Sequence, residues 1–415
     1  MIEIGDTDTL QYSPPSHGDW GIVRIAALVP ESHMLFVCPS ACGRHGALGA
    51  IQQGFKDRLS YIYIDRSDII RGYAETIKSN IPLLLEALPK RPKAIMIYVS
   101  CLDDLIGTDL DSLRAELEAE HGGIRFRAGH MNPISLDSAA PPPLTTQSAM
   151  FSFLETTGGD KFGINLIGNL TPLPRENDLL AFLDYCGAAP IRHMSDFDTF
   201  EGFQQMAKSR ANLVLSPIAS LAAREMERKH GQPFAPMFVS YDLDEIAESY
   251  GRLAEFLRRG AGFDFSRYKS DAEREIKIAL EVIGDTPIAV SGVLKTYGLA
   301  AALLKYGFNV VSVMADDVIP PDKAAYDGLR ARGSNIRAYL PQRPANMRLR
   351  SECPDALALG FEAAYITGSR HIANVNGDHG MFGYDGVKRL MRVLTQAKSN
   401  EFELDQLMDE YGVVV

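Results

Sequence analysis

Residues 34–46 read "MLFVCPSACGRHG". The run closes on Cys38, passes through Pro39 and small residues to Cys42, and then reaches His45. A short unbroken apolar run of this kind suits a strand buried on both faces, as strands of a parallel sheet are. The pattern returns at residues 94–101, "AIMIYVSC", which again closes on a cysteine. In doubly wound sheets ligands collect at the carboxyl ends of strands. Cys38 and Cys101, with Cys42 on the loop beside Cys38, are therefore expected to bring three thiolates to one edge of the first α/β unit.

Outward from this pair the chain alternates strand and helix. "DIIRGYAETIKSNIPLLLEAL" (68–88) has helical periodicity, with Asp68 placed to cap it, and "TDLDSLRAELEAEHGG" is a second helix closed by glycines. The Pro-rich stretch "AAPPPLTTQ" (139–147) is expected to be extended. A second unit opens at "DKFGINLIGNLTP" and continues through "RANLVLSPIASLAAREMERKHGQP"; a third opens with the βαβ pattern of residues 286–317. The predicted fold class is α/β, three doubly wound (Rossmann-like) parallel-sheet domains spanning 1–155, 156–275 and 276–415, with a helix at the end of the last.

A chain of 415 residues is too long for one core. Its net charge of -11 argues against a nucleic-acid partner, because phosphate binding needs a basic face. No apolar run is long enough to cross a bilayer. The acidic, polar start lacks the order of a signal peptide, so a cytoplasmic, reducing location is expected. Five thinly spread cysteines do not form a disulfide framework. In such a compartment grouped cysteines suit a metal.

The C-x3-C-x2-His pattern admits a structural zinc site with His45 as fourth ligand, a redox pair, a radical-SAM loop, or part of a larger iron–sulfur site. The radical-SAM reading fails where His45 stands in place of a third cysteine. Cys38 and Cys101 as plain buried residues is the bland alternative. Cys186 and Cys353, in helical contexts, read as structural.

Four segments in order, "FVCPSACG", "YVSCLDDLIGTDLDSL", "ANLVLSP…REMERKHGQPF" and "HGMFGYDGV", resemble the component 1 family of nitrogenases and nitrogenase-like reductases across nearly the whole chain. "SCLDDLIGTD" is similar to the family's second cluster-ligand loop. "CPSACG" resembles its earlier loop, with Cys42 at the ligand position, and "GYDG" (383–386) resembles the turn before its late helix. The resemblance implies Cys38, Cys42 and Cys101 as ligands to the iron of a cluster shared with a partner subunit, either an [8Fe-7S] P-cluster-like centre or [4Fe-4S].

The chain departs from the family at informative positions. The family's first cluster cysteine falls near Ser16 and His17 here, and Cys38 is extra; His17 stands as a possible nitrogen ligand. The cysteine that anchors the catalytic cofactor in α-type subunits corresponds to Ser216. The anchoring histidine falls near Ala373, flanked by His371 and His379. These departures imply a β-type subunit with no substrate cofactor of its own, so catalytic residues are not assigned.

No G-x-x-x-x-G-K-S/T occurs. The resemblance therefore implies a separate ATP-dependent [4Fe-4S] iron protein as electron donor, and a homologous α-type subunit in an α2β2 heterotetramer. The expected activity is an oxidoreductase electron-transfer role, with reductive C–S cleavage by a methylthio-alkane reductase as the leading reaction. The alternatives are a cofactor-assembly scaffold subunit, a tetrapyrrole (protochlorophyllide-like) reductase subunit, or a zinc-stabilised binding protein.

Overall fold

The computed structural model describes residues 10, 21–131, 142–155, 161–332, 336–344, 346, 353–376 and 380–411. Among them are three wholly parallel sheets, one after another along the chain. The first has order β2-β1-β3-β4, from β1 (Ser32–Cys38), β2 (Leu59–Tyr63), β3 (Ala94–Ser100) and β4 (Arg125–Met131). The second has order β6-β5-β7-β8, from β5 (Ile164–Ile167), β6 (Ile191–His193), β7 (Ala211–Val214) and β8 (Phe234–Pro236). The third has order β11-β10-β9-β12-β13, from β9 (Ile288–Val290), β10 (Val310–Met314), β11 (Arg337–Tyr339), β12 (Leu357–Leu359) and β13 (His371–Ala373). The α/β class with three parallel sheets is as the sequence predicts.

The two cysteine-ended runs are the central strands of the first sheet, and every residue of both is buried. One face carries Met34, Phe36, Cys38, Met96 and Tyr98, which pack with Ile167, Val214 and Met226 of the second unit in one core. The other carries Leu35, Val37, Ile95, Ile97 and Val99, which pack under Ile77, Ile81, Leu113 and Leu117 of the covering helices. Strands buried on both faces need no polar alternation, which is why they read as solid apolar runs.

Two local expectations are corrected. The helical pattern of 68–88 is two helices, Arg66–Arg71 and Ala74–Ala87, separated by Gly72 at φ +79°. Its cap is Asp65, whose carboxylate accepts from the amides of Ser67 and Asp68, while Asp68 bonds back to Asp65 N. The stretch expected to be extended contains the helix Pro142–Phe151; residues 139–141 lie outside the described residues. Proline at a helix start removes a donor that has no partner there in any case, so the prolines mark an entry rather than a break.

The turn "GYDG" opens the helix Gly383–Ser399, which packs along Ser266–Ile283. Its first amides are held by a buried carboxylate from the second unit. Asp178 accepts from Tyr384 N at 3.0 Å, from Asp385 N at 2.9 Å and from the Tyr250 hydroxyl at 2.7 Å. Gly383 sits at φ +69°, and a Cβ there would lie 2.4 Å from Asp178 Oδ2. The motif is thus a capped helix start that joins the second and third units.

Candidate metal centre

Cys38 is the last residue of β1 and is fully buried. Register pairs Val37 with Val99, which sets the ends of β1 and β3 side by side and puts Cys101 one residue beyond β3. Cys42 occupies the first turn of the helix Ser40–Gln52, where its amide donates to Pro39 O at 3.0 Å. A helix N-terminus carries partial positive charge and favours a thiolate over a thiol.

Two glycines bring this helix down onto β1 and β2. A Cβ at Gly43 would lie 2.8 Å from the Tyr63 ring and 3.4 Å from Cys38 Sγ, and one at Gly46 would lie 2.1 Å from Phe36 Cε2. The Tyr61 and Tyr63 rings stack at 5.5 Å between centroids beside Cys38, since register pairs Cys38 with Tyr63. Beyond Cys101, the short helix Asp103–Ile106 is held by a hydrogen bond from the Tyr73 hydroxyl to buried Asp103. It is ended by Gly107 at φ +67°, whose amide donates to Asp103 O at 2.7 Å.

The three thiols share one electrostatic neighbourhood. Burial pushes Cys38 up to about 12, and charge on Cys42 pushes the same way. Burial also raises Cys42, as does charge on Cys101, against a smaller lowering by its own amide. Cys42 is thus the middle member, coupled to Cys38 on one side and to Cys101 on the other. Among the described residues no three His, Cys, Asp or Glu side chains are grouped to hold a single metal ion. The thiols are strung along an edge rather than closed around a point.

His17 and Ser16 lie outside the described residues, as do His379 and the side chain of His45. His371 starts β13, at the end of the strand away from the crevice, with Nδ1 3.0 Å from Asn400 O and 3.3 Å from Ala397 O. Ala373 ends that strand, fully buried. Ser216 lies just past β7 at the carboxyl edge of the second sheet, and its buried Oγ has no hydrogen-bond partner among the described residues. Gly168, at φ +101°, lets the Ser216 backbone approach; a Cβ there would be 2.8 Å from Ser216 N. Cys186 caps the helix Asp178–Tyr185 and packs in a core cluster separate from that of Cys38 and Cys42. Ser100, the residue before Cys101, ends β3 and is buried, with no hydrogen-bond partner for its Oγ among the described residues.

Three parallel sheets in series, with Cys38, Cys42 and Cys101 at the carboxyl edge of the first, define a doubly wound α/β protein. Residues 19–398 match the family described as "Nitrogenase component 1 type Oxidoreductase", and the chain belongs to that family. Members of it bind iron–sulfur clusters and form complexes with partner subunits and an iron protein.

Curated relatives are distant. The Rhodobacter capsulatus "Nitrogenase iron-molybdenum cofactor biosynthesis protein NifE" is 22% identical over 423 residues, covering 93% of this chain and 85% of that protein. The protein of the same name from Methanococcus maripaludis is 21% identical over 321 residues, covering 74% of this chain and 66% of that protein. A solved structure described as "Nitrogenase Cp1 at pH 6.5" superposes with a TM-score of 0.74 at 16% identity, covering 98% of this chain and 96% of that one. A second, "Nitrogenase Cp1 at pH 5", gives a TM-score of 0.61 at 15% identity, with 96% and 91% covered. These likenesses show a common fold. No helix among the described residues is long and apolar enough to cross a membrane.

Proposed function

We propose that this chain is a cluster-bearing, β-type subunit of a cytoplasmic nitrogenase-like component 1 complex. In this reading Cys38, Cys42 and Cys101 ligate part of an iron–sulfur cluster, and a homologous α-type subunit completes it in an α2β2 assembly. The observation that carries the proposal is the parallel register of β1 against β3, which sets Cys38 and Cys101 at neighbouring strand ends with Cys42 in the first turn of the helix that follows β1. Exposed apolar side chains flank that edge: Tyr63 at the end of β2, Ile70 just after it, and Leu105 beside Cys101, the last two 84% exposed. Apolar surface of this kind beside buried thiols suits cover by a second subunit. The division 1–155, 156–275 and 276–415 is part of the proposal; each span contains one of the three sheets, and the helix Ser266–Ile283 crosses the second boundary.

The protein's own part in the chemistry follows from its residues. A cluster bound here would store and pass single electrons between an ATP-dependent iron protein and a reaction site in the partner. Burial that holds the Cys38 proton to about 12 means loading must displace that proton. The same burial of Cys38 would help keep water from a metal held there. The first turn of Ser40–Gln52 offsets part of the cost of thiolate at Cys42. At the second sheet edge Ser216 offers a hydroxyl where a cofactor anchor would need a thiolate, which supports a subunit without its own substrate site.

A second reading, a subunit that assembles and hands on a cofactor, is favoured by the names of the curated relatives. No observation at the site favours C–S cleavage or tetrapyrrole reduction over it. The test is iron counting on anoxically purified Cys42→Ala, Cys101→Ala and Cys186→Ala variants. The first two are expected to lose most iron and Cys186→Ala none; equal iron in all three would overturn the ligand assignment. Turnover by the complex with an iron protein then separates a reductase from a scaffold.

A further inference from the structure

We propose that Ser100 is a positioning and tuning residue of the metal centre, whose hydroxyl donates a hydrogen bond to a cluster sulfur or to the metal-bound Cys38 thiolate. The inference rests on the cluster reading above. Ser100 ends β3 and is 3% exposed, and its Oγ has no hydrogen-bond partner among the described residues.

Its direction follows from the strand. Met96 and Tyr98 belong to the same core as Phe36 and Cys38, whereas Ile97 and Val99 belong to the opposite one. Side chains two apart share a face, so Ser100 is on the Cys38 face. The Val37–Val99 register puts Cys38 and Ser100 at the same level on adjacent strands. The Phe36 ring meets Tyr98 edge-on at 5.3 Å one layer below, which closes the space beneath them with carbon.

A buried hydroxyl without an acceptor is costly. A neutral Cys38 thiol is a weak acceptor, but a metal-bound thiolate or an inorganic sulfide is a strong one. Loading of the centre therefore supplies the acceptor that Ser100 lacks. Hydrogen bonds to cluster sulfur stabilise the more negative, reduced state, so the Ser100 O–H raises the reduction potential.

The test uses the anoxically purified complex and the metal-free chain, each as wild type, Ser100→Ala and Ser100→Thr. Ser100→Ala is expected to keep the wild-type iron content while its reduction midpoint, read by EPR-monitored titration, moves to lower potential. Ser100→Thr, which keeps the hydroxyl, is expected to restore the midpoint. In the metal-free chain Ser100→Ala is expected to leave the urea midpoint unchanged or higher, because an unpartnered hydroxyl is removed. An unmoved potential at full iron, as a trapped water on Oγ would give, overturns the inference. So does a destabilised metal-free chain, which would show that Oγ already has a structural partner. A wild-type complex without iron defeats the cluster reading itself, a result distinct from either.

Discussion

Gly46→Ala sets two known effects against each other. Gly46 lies inside the helix Ser40–Gln52, where alanine is better by about 1 kcal/mol on intrinsic propensity. A Cβ there would stand 2.1 Å from Phe36 Cε2 and 2.5 Å from Cδ2. Ordinary carbon contact begins near 3.5 Å, so helix or ring must yield by roughly 1.5 Å. Phe36 is fully buried and edge-on to Tyr98, so the ring has nowhere to go. The helix must lift, and Cys42, one turn earlier, lifts with it. Overpacking costs about 1–3 kcal/mol, so the net is a loss of roughly 0–2 kcal/mol after the propensity gain.

The matched control is Gly251→Ala, inside the helix Leu243–Leu257, where a Cβ meets nothing within 4 Å among the described residues. It is expected to gain about 1 kcal/mol from propensity alone. Urea unfolding of both variants, with iron per chain in the anoxic complex, gives the comparison. Gly46→Ala is expected to be less stable than the control and to carry less iron. Equal stability with full iron would refute the claim that these glycines seat the helix, and Cys42 with it, on β1.

Other perturbations separate fold from site. Burial, with the Arg58 charge beside it, lowers His33 to about 4, and its Nε2 lies 2.9 Å from Ser60 Oγ. The unfolded chain binds a proton below about pH 6.5 that the folded chain refuses until about pH 4, so stability falls as pH drops through that window. Between pH 6.5 and 5 the loss is at most about 2 kcal/mol, and His33→Gln should flatten that part of a urea-midpoint profile. Asp178→Ala strips the acceptor from Tyr250 and from two amides of the Gly383–Ser399 helix. It is expected to cost about 2–4 kcal/mol by the same assay while Fe K-edge absorption of the loaded complex stays as in wild type. Ser216→Ala should leave turnover of the assembled complex nearly unchanged; a large loss would place a substrate cofactor in this chain.

What could be read in the sequence was what strong local patterns enforce. Strands β1 and β3 are buried on both faces, so each shows as an uninterrupted apolar run closing on a cysteine. The edge strands are weaker signals: Leu59–Tyr63 is only partly buried, and "RFRAGHM" breaks its apolar positions with Arg125, Arg127 and His130. Gly72 split one helix because a residue at φ +79° ends it whatever the apolar periodicity beyond. The prolines at 142 and 143 open a helix instead of extending the chain, a position effect that composition does not report.

At the site, the cysteines were legible by type and strand-end position. The roles of Gly43 and Gly46 were not, because close approach depends on which side chains of β1 and β2 lie beneath them. Ser100 carries no chemical signature, and only the register of β3 against β1 brings it beside Cys38. His371 illustrates the converse: its residue type suggested an anchor, but it stands at the opposite end of β13 from the crevice.

Quantification of iron, acid-labile sulfide and zinc in the complex co-purified under strict anoxia, with EPR of its oxidised and reduced forms, tests the central claim most directly. Iron and sulfide together, with a paramagnetic signal in at least one state, are the predicted result. Zinc in place of iron, with no sulfide, would contradict it.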